Sequence, residues 1–101
     1  DIDYSKSIAF HEVSNNNWYD ICYSDQFAVG FKIGNGSTSL FDSCFCLWYS
    51  NNGNMEIGFQ TDGKFNAMIV NSRVSFRGGV SNTAFLKVGA SGGRGVIQYS
   101  R

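Results

Sequence analysis

Side chains that could act as a general base are scarce in this sequence. His11 is the one histidine among 101 residues, and it lies inside the strand-like run "IAFHEV" and in no catalytic motif. A Ser-His-Asp or Cys-His hydrolase needs an imidazole to take the proton of the nucleophile. Because a lone strand histidine is more often packed or solvated than catalytic, we predict that the chain has no catalytic residue and is not an enzyme.

Paired carboxylates are the remaining route to catalysis, since two of them can hydrolyse a glycosidic bond without histidine. The candidate acids are Asp20, Asp25, Asp42, Glu12, Glu56 and Asp62, of which Asp62 is better explained by the predicted hairpin turn. The three acids chosen for a test are Glu12, Glu56 and Asp42. A small glycan-cleaving enzyme is therefore our third hypothesis. It predicts that mutating these three residues in turn abolishes turnover.

The three cysteines, Cys22, Cys44 and Cys46, are an odd number, so they cannot form a complete set of internal disulfides. Cys44 and Cys46 lie two apart in a strand-like run, which places both side chains on one face. Structural zinc sites need two ligand pairs, and one histidine supplies no second pair. We predict no metal site and no cofactor, and expect the cysteines to be small buried hydrophobes.

Charge is low and evenly scattered along the chain. Charged residues make up 16% of the sequence, with eight basic and eight acidic side chains and a formal net charge of zero. No block of charge could gather phosphates or anionic lipids, so we predict neither nucleic-acid binding nor membrane insertion. The N-terminal residues lack the pattern of a signal peptide, which indicates cytosolic synthesis or an excised piece of a longer protein.

Hydrophobic and polar residues alternate with the period of β-strands, and there is no convincing helical stripe. About nine short strands follow one another at roughly ten-residue spacing, the pattern of a β-sandwich or barrel in a single domain, residues 1–101. The turn signals in "SNNGN" and "TDG" predict two hairpins. We find no internal repeat beyond a faint echo of "SNNNWYDI" in "YSNNGNMEIGF".

Aromatic residues reach 16% of the chain and stand beside many Asn, Ser and Gly residues. Flat rings next to short hydrogen-bonding groups suit sugar-binding and protein-binding surfaces. Core packing should account for most Phe residues and for Ile21 and Trp48. The candidate ligand-binding residues are the aromatics Trp18, Tyr19 and Tyr49 and the loop residues Asn35, Ser37, Asn51, Asn52 and Asn82.

Several short motifs together resemble the C-terminal receptor-binding heads of bacteriophage tail fibres and related viral fibre heads. These motifs are "WYDIC" (18–22), "VGFKI" (29–33), "GNGSTS" (34–39), "CFCLWYSNNGN" (44–54) and "AFLKV" (84–88). Their order and spacing are similar over residues 15–90. The resemblance implies an antiparallel β-sandwich of jelly-roll type, a homotrimer in the parent fibre, and outer loops that contact a receptor on the host cell.

Our first hypothesis is therefore a non-enzymatic receptor-binding or structural head of a phage tail fibre that attaches to host cell-surface glycan or protein. It places the chain in the virion as the terminal piece of a longer fibre protein. The alternative is a free-standing, secreted lectin-like module. That alternative predicts binding as a monomer or dimer, with specificity carried entirely by the loops.

Overall fold

The computed structural model describes residues 7–25, 27–48, 57–76 and 84–101. These residues contain no helix, and their regular structure consists of short strands. In chain order the strands are β1 (Ile8–His11), β2 (Trp18–Asp20), β3 (Tyr23–Asp25), β4 (Val29–Ile33), β5 (Leu40–Asp42), β6 (Phe45–Trp48), β7 (Ile57–Lys64), β8 (Met68–Val70), β9 (Arg73–Phe76), β10 (Ala84–Ala90) and β11 (Val96–Gln98).

All strand pairs in the described residues are parallel, and they form three sheets. Sheet A has the order β1-β4-β7-β10, sheet B has the order β11-β8-β5-β2, and sheet C has the order β3-β6-β9. Each of the first three turns of the chain adds one strand to every sheet, and the fourth adds one to sheets A and B, so the chain winds into a β-solenoid. Its coils are coil 1 (8–25), coil 2 (29–48), coil 3 (57–76) and coil 4 (84–101).

The all-β content is confirmed, but the antiparallel β-sandwich is wrong because the strands pair in parallel between coils. The hairpin predicted at "TDG" is also wrong, since β7 runs straight through Thr61, Asp62 and Gly63. The hairpin predicted at "SNNGN" lies outside the described residues. The error has a simple physical source: side chains alternate with a period of two in both kinds of sheet, so alternation does not report strand direction.

The expectation that the chain has no internal repeat is also wrong. In sheets B and C and at the corner between them, partners lie 22 residues apart between coils 1 and 2, as in Trp18 and Leu40. They lie 28 residues apart between later coils, as in Cys44 and Ser72 or Ser72 and Ser100. The coils repeat in backbone conformation more than in residue identity. The clearest sequence similarity between them is the series "IAFH", "VGFK" and "IGFQ" in sheet A.

A one-residue corner between sheets B and C recurs in every coil. The corner residues have positive φ angles of 54° at Ile21, 55° at Ser43, 51° at Asn71 and 52° at Tyr99. After each of them comes a Cys or Ser whose side chain bonds the carbonyl two residues back: Cys22, Cys44, Ser72 and Ser100. This local bond helps to hold the left-handed conformation that turns the chain.

Ile21 was expected in the core, but its side chain is 75% exposed at this corner. A β-branched residue at positive φ is strained, whereas Asn tolerates that conformation and occupies the equivalent position at Asn71. Ile21→Asn is therefore expected to raise the free energy of unfolding by about 1 kcal/mol. Urea denaturation would measure the change. Ile21→Val keeps the branched side chain and should give no such gain, so an equal gain from both variants would contradict this explanation.

The core is built from residues that stack on one another along the solenoid. Phe31 and Phe59 are fully buried in sheet A, and their rings stack with centroids 5.1 Å apart. Phe41 of sheet B packs edge-on against both, at 5.7 Å and 5.5 Å. Tyr19 continues the sheet B stack on Phe41 at 4.6 Å. Each coil thus buries its apolar side chains against the next coil as well as within itself.

Two glycines allow sheets A and C to approach closely. A Cβ on Gly30 would lie 2.4 Å from Cys46 Sγ, and one on Gly58 would lie 2.3 Å from a Val74 methyl group. No side chain fits at such distances without a shift of its neighbours. All three cysteines are free thiols; Cys44 and Cys46 are buried, as expected, and Cys22 is partly exposed.

Candidate binding face

The outer face of sheet B carries a continuous apolar row, one residue from each coil. Trp18 pairs in register with Leu40, Leu40 with Met68, and Met68 with Val96. Trp18 is 69% exposed, Met68 42% and Val96 37%, while Leu40 is partly buried. Because neighbouring strands are about 4.8 Å apart, the row presents a similar group to solvent once per coil. We call these four residues the sheet B row.

A second row follows two residues further along each strand, on the same face. It begins with two carboxylates, Asp20 and Asp42, that are directly paired, and continues with Val70 and Gln98. The Ser43 hydroxyl donates to Asp42 Oδ1 at 3.1 Å. The outer face of sheet B therefore combines an apolar strip with hydrogen-bond acceptors beside its Trp18 end.

Polar groups of the corner between sheets A and B border Trp18 on its other side. Asn16 and Thr38 are both exposed and lie in adjacent coils. The Thr38 hydroxyl donates to Asn16 Oδ1, which ties the two coils together. The indole of Trp18 thus lies between the amide and hydroxyl groups of this corner and the carboxylates of the second row.

Further asparagines of the same corner act as connectors between coils. Asn35 Oδ1 accepts a hydrogen bond from the backbone N–H of Lys64 at 2.9 Å. One repeat later, Asn66 Oδ1 accepts from the backbone N–H of Arg94 at 2.8 Å. These side chains satisfy backbone groups where the chain leaves sheet A, which is a structural role.

Glu12 is the centre of a buried polar network under this corner. The residue is 6% exposed, and its carboxylate accepts hydrogen bonds from donors in both coil 1 and coil 2. Oε1 accepts from the Gly34 N–H at 3.0 Å, and Oε2 accepts from Ser39 Oγ at 2.5 Å. Asn17 Nδ2 and the Tyr19 hydroxyl also donate to Oε2, each at 3.1 Å. The network joins the first two coils around one negative charge.

Two opposing effects act on the pKa of Glu12. Burial alone would raise it, because the charged form loses contact with water. Hydrogen bonds to the carboxylate outweigh that effect and hold the pKa of Glu12 below its usual value. The donors are Ser39, Ser37, Asn17 and the backbone of Gly34. Burial and the adjacent Glu12 charge raise the pKa of Tyr19 to about 12, so its hydroxyl stays a donor.

The predicted ligand-binding residues fall into three groups. Trp18 is exposed on the outer face of sheet B. Three others have structural partners. The Tyr19 side chain lies on the opposite side of the sheet and donates a hydrogen bond to Glu12. Ser37 is fully buried and hydrogen-bonds Ser39 at 2.8 Å, and the exposed Asn35 accepts a hydrogen bond from the backbone of Lys64. The remaining four, Tyr49, Asn51, Asn52 and Asn82, lie outside the described residues.

Sequence reasoning did not select the partners of Trp18 on this face. Leu40, Met68 and Val96 have the pattern of ordinary apolar strand residues, and Asp20 was considered only as a candidate catalytic acid. The signal that could have found them is the 28-residue spacing of Leu40, Met68 and Val96, which becomes meaningful only once a solenoid is assumed.

Of the groups considered for chemistry, Asp20 and Asp42 are directly paired on the outer face of sheet B, and the others named here lie apart from them. His11 is exposed on sheet A, Asp42 is on the outer face of sheet B, and Glu12 is buried in its network; Glu56 is outside the described residues. Burial raises the pKa of the Cys44 thiol to about 12 and also raises that of Cys46. Among the described residues, no three potential metal ligands come together.

No protein-family model, curated protein or solved structure matches the chain. The described part of the chain also holds no helix of the length and apolar character required to cross a membrane.

Proposed function

We propose that this chain is a non-enzymatic receptor-binding module of a phage tail fibre that attaches to glycan on the host cell surface through the outer face of sheet B. The observation that carries the proposal is the 69% exposure of Trp18 at one end of the sheet B row. A large apolar ring is costly to leave in water unless a partner covers it. Trp18 is the anchor of the proposed site.

The chemistry around Trp18 favours a sugar ligand over a wholly apolar one. The faces of pyranose rings carry C–H groups that pack on aromatic rings, and their hydroxyls need donors and acceptors at the rim. Asp20 and Asp42 supply acceptors on one side of Trp18, and Asn16 and Thr38 supply amide and hydroxyl groups on the other. An apolar platform with a polar rim is the general form of a recognition surface.

The solenoid supports the fibre part of the proposal. Strands that stack along one axis make a rigid body on which one surface can extend from coil to coil. The motifs that resemble tail-fibre heads supply strands of this body, with "WYDIC" beginning in β2, "VGFKI" forming β4 and "AFLKV" lying in β10. A homotrimer in the virion would multiply a weak single site by avidity. The same face would serve a free-standing lectin-like module.

Trp18→Ala is expected to weaken binding to glycan-bearing cells by roughly tenfold or more, the loss typical of a central anchor. Labelled protein would be titrated on a panel of bacterial cells with different surface polysaccharides. Tyr99→Ala is the matched control, because Tyr99 is an 87% exposed aromatic at a corner and not on the sheet B face. Equal binding by wild type and Trp18→Ala would refute the site.

Pretreatment of the cells separates the two receptor classes. Periodate oxidises the vicinal diols of sugars and should abolish binding, whereas protease treatment should not. Binding that survives periodate and is lost after protease treatment would assign the receptor to protein and overturn the glycan proposal. Catalytic release of sugar from the same polysaccharides would overturn the non-enzymatic assignment.

A further inference from the structure

Two cysteines occupy equivalent positions in neighbouring coils, directly after the corner between sheets B and C. Residues on both sides of Cys22 and Cys44 pair in register, since β2 pairs with β5 and β3 pairs with β6. The Phe45 N–H donates to the Cys22 carbonyl oxygen at 2.9 Å. Because neighbouring parallel strands are about 4.8 Å apart, two Cα atoms stacked in this way lie within the distance that a disulfide spans.

The side chains of the two cysteines have the same orientation. Cys22 Sγ lies 3.8 Å from the carbonyl oxygen of Asp20, and Cys44 Sγ lies 3.7 Å from that of Asp42, two residues back in each case. Cys44 Sγ also lies 3.4 Å from the Tyr19 carbonyl oxygen, which belongs to coil 1. Cys22 in turn packs against the buried cluster that contains Cys44. Both sulfur atoms therefore lie against the backbone of coil 1.

The two cysteines are also in contact with each other, as the environment of the Cys44 thiol shows. Burial is the largest effect on its pKa and raises it to about 12. A hydrogen bond from the Cys22 backbone N–H opposes the rise, and the neighbouring Cys22 side chain adds to it. A disulfide that contains a thiol of high pKa has a poor leaving group at that sulfur, so other thiols reduce it slowly.

Serine performs the local role of this corner position in coils 3 and 4. Ser72 Oγ donates to the Val70 carbonyl oxygen at 3.0 Å and accepts from the Cys44 N–H at 3.1 Å. Ser100 Oγ donates to the Gln98 carbonyl oxygen at 3.0 Å. A thiol is a weaker donor and acceptor than a hydroxyl, so the corner itself does not require cysteine. Cysteine at two neighbouring corners thus indicates a second role, in which the two sulfurs act together.

We infer that Cys22 and Cys44 form an intrachain disulfide that ties coil 1 to coil 2, by exchange with a small-molecule disulfide such as oxidised glutathione. The thiolate of one cysteine attacks the small disulfide, forms a mixed disulfide and releases one small thiol. The thiolate of the other cysteine then attacks the protein sulfur of the mixed disulfide and releases the second small thiol. Two electrons pass from the cysteine sulfurs to the small disulfide, and the two cysteine protons pass to the released thiolates. Cys46, whose sulfur lies 3.6 Å from the carbonyl oxygen of Gly58, stays reduced.

Peptide mapping after oxidation tests the pairing. The purified chain is incubated with oxidised glutathione, the remaining thiols are alkylated in denaturant, and the protein is digested with chymotrypsin. Cleavage after Phe45 separates Cys44 from Cys46, so the mass of a linked peptide pair identifies its cysteines. We expect a linked pair that contains Cys22 and Cys44, together with an alkylated Cys46.

Thermal denaturation tests whether the cross-link stabilises the fold, as it should because it constrains the unfolded chain. The melting temperature of oxidised wild type is expected to exceed that of reduced wild type by roughly 10–20 °C. Cys22→Ser keeps the local bond that Ser72 and Ser100 make but removes the cross-link, so its melting temperature should not respond to oxidised glutathione. Cys46→Ala is the matched control and should keep the full response. Cys44→Ser would replace Cys22→Ser if the latter did not fold.

Four results would overturn the inference. They are three alkylated cysteines after oxidation, a disulfide that involves Cys46 or joins two chains, an oxidised wild type that melts at the same temperature as the reduced protein, and a Cys22→Ser or Cys44→Ser protein whose melting temperature still responds to oxidised glutathione. None of these results depends on glycan binding, so the inference can fail while the proposed function stands.

Discussion

Phe31→Ala is expected to lower the free energy of unfolding by about 3–5 kcal/mol, which is a large share of the total stability of a domain this size. Phe31 is fully buried at the centre of the aromatic core. Its ring stacks on Phe10 at 4.8 Å and on Phe59 at 5.1 Å, and it meets Phe41 edge-on. Truncation would remove contacts in three coils at once and leave a cavity that a stacked backbone cannot easily close.

Urea or thermal denaturation would measure the effect of Phe31→Ala. Phe45→Ala is the matched control, because Phe45 is 38% exposed on sheet C and its truncation should cost about 1 kcal/mol or less. Similar losses from the two variants would contradict the core assignment. They would indicate that the ring stack along sheet A does not determine stability.

Glu12→Gln is expected to lower the free energy of unfolding at neutral pH by about 1–3 kcal/mol, although it preserves the size of the side chain. Both carboxylate oxygens accept hydrogen bonds: Oε1 from the Gly34 N–H, and Oε2 from donors that include the Ser39 hydroxyl. An amide replaces one acceptor with an NH2 group, which then faces a donor. The cost arises from that mismatch in a buried site and not from lost packing.

Asp25→Asn is the control for the loss of one negative charge, because Asp25 is exposed at the end of β3. Its substitution should change stability by no more than about 0.5 kcal/mol. If Glu12→Gln were as mild as Asp25→Asn, the buried network would contribute little to holding coils 1 and 2 together.

The same network predicts how stability depends on pH. The pKa of Glu12 is lowered in the folded protein from its ordinary value of 4.5. Its contribution is therefore fully present above the unfolded-state pKa and is lost as pH falls through the lower folded-state pKa. The difference in unfolding free energy between wild type and Glu12→Gln should accordingly narrow at about pH 3 relative to pH 7. A difference that stays constant over this range would contradict an ionised Glu12.

The motifs "VGFKI" and "AFLKV" of the tail-fibre resemblance lie on strands of the solenoid, although the fold that the resemblance implied was a sandwich. The motifs were interpreted as strands of an antiparallel sandwich, whereas "VGFKI" and "AFLKV" belong to one parallel sheet, in coils 2 and 4. Short motifs of this kind describe how each strand packs, and they do not describe which strand is its neighbour. Local agreement therefore supported the strand positions and left the topology undetermined.

The hairpin at "TDG" shows where a local turn signal fails. Asp-Gly adopts the backbone angles of a tight turn readily, but it does not require them. In β7 the chain stays extended through Asp62 and Gly63, because coil 2 pairs with this strand as far as Thr61 and coil 4 pairs with it at Thr61 and Lys64, on either side of the Asp-Gly pair. The corners between sheets B and C contain Ile21, Ser43, Asn71 and Tyr99, and of these only Asn71 favours positive φ. The corners between sheets A and B instead contain residues that favour it, namely Asn16, Gly36 and Gly92. Tertiary pairing overrides local preference in β7 and at the corners between sheets B and C.

Only one residue of the candidate face, Trp18, could be predicted from the sequence. The surface to which it belongs could not. Polar neighbours marked Trp18 as a contact residue, and it is exposed. Nothing in the sequence around Met68 and Val96 distinguishes them as contact residues, because an apolar residue in a strand does not show which side of the sheet faces the core. Likewise, Tyr19 has the same composition around it as Trp18, but it lies on the opposite face and bonds Glu12.

The sequence by itself determined the all-β content, most strand positions and the burial of Cys44 and Cys46, because alternation and residue size act over a few neighbouring residues. Only the tertiary structure decided that the strands pair in parallel, that Glu12 is held by donors from two coils, and that Trp18, Leu40, Met68 and Val96 form one row. The physical reason is distance along the chain. The strand pairings and the bonds from Gly34 and Ser39 to Glu12 join residues that are 21 to 28 positions apart. Alternation with a period of two contains no information about which distant strand a given strand will meet.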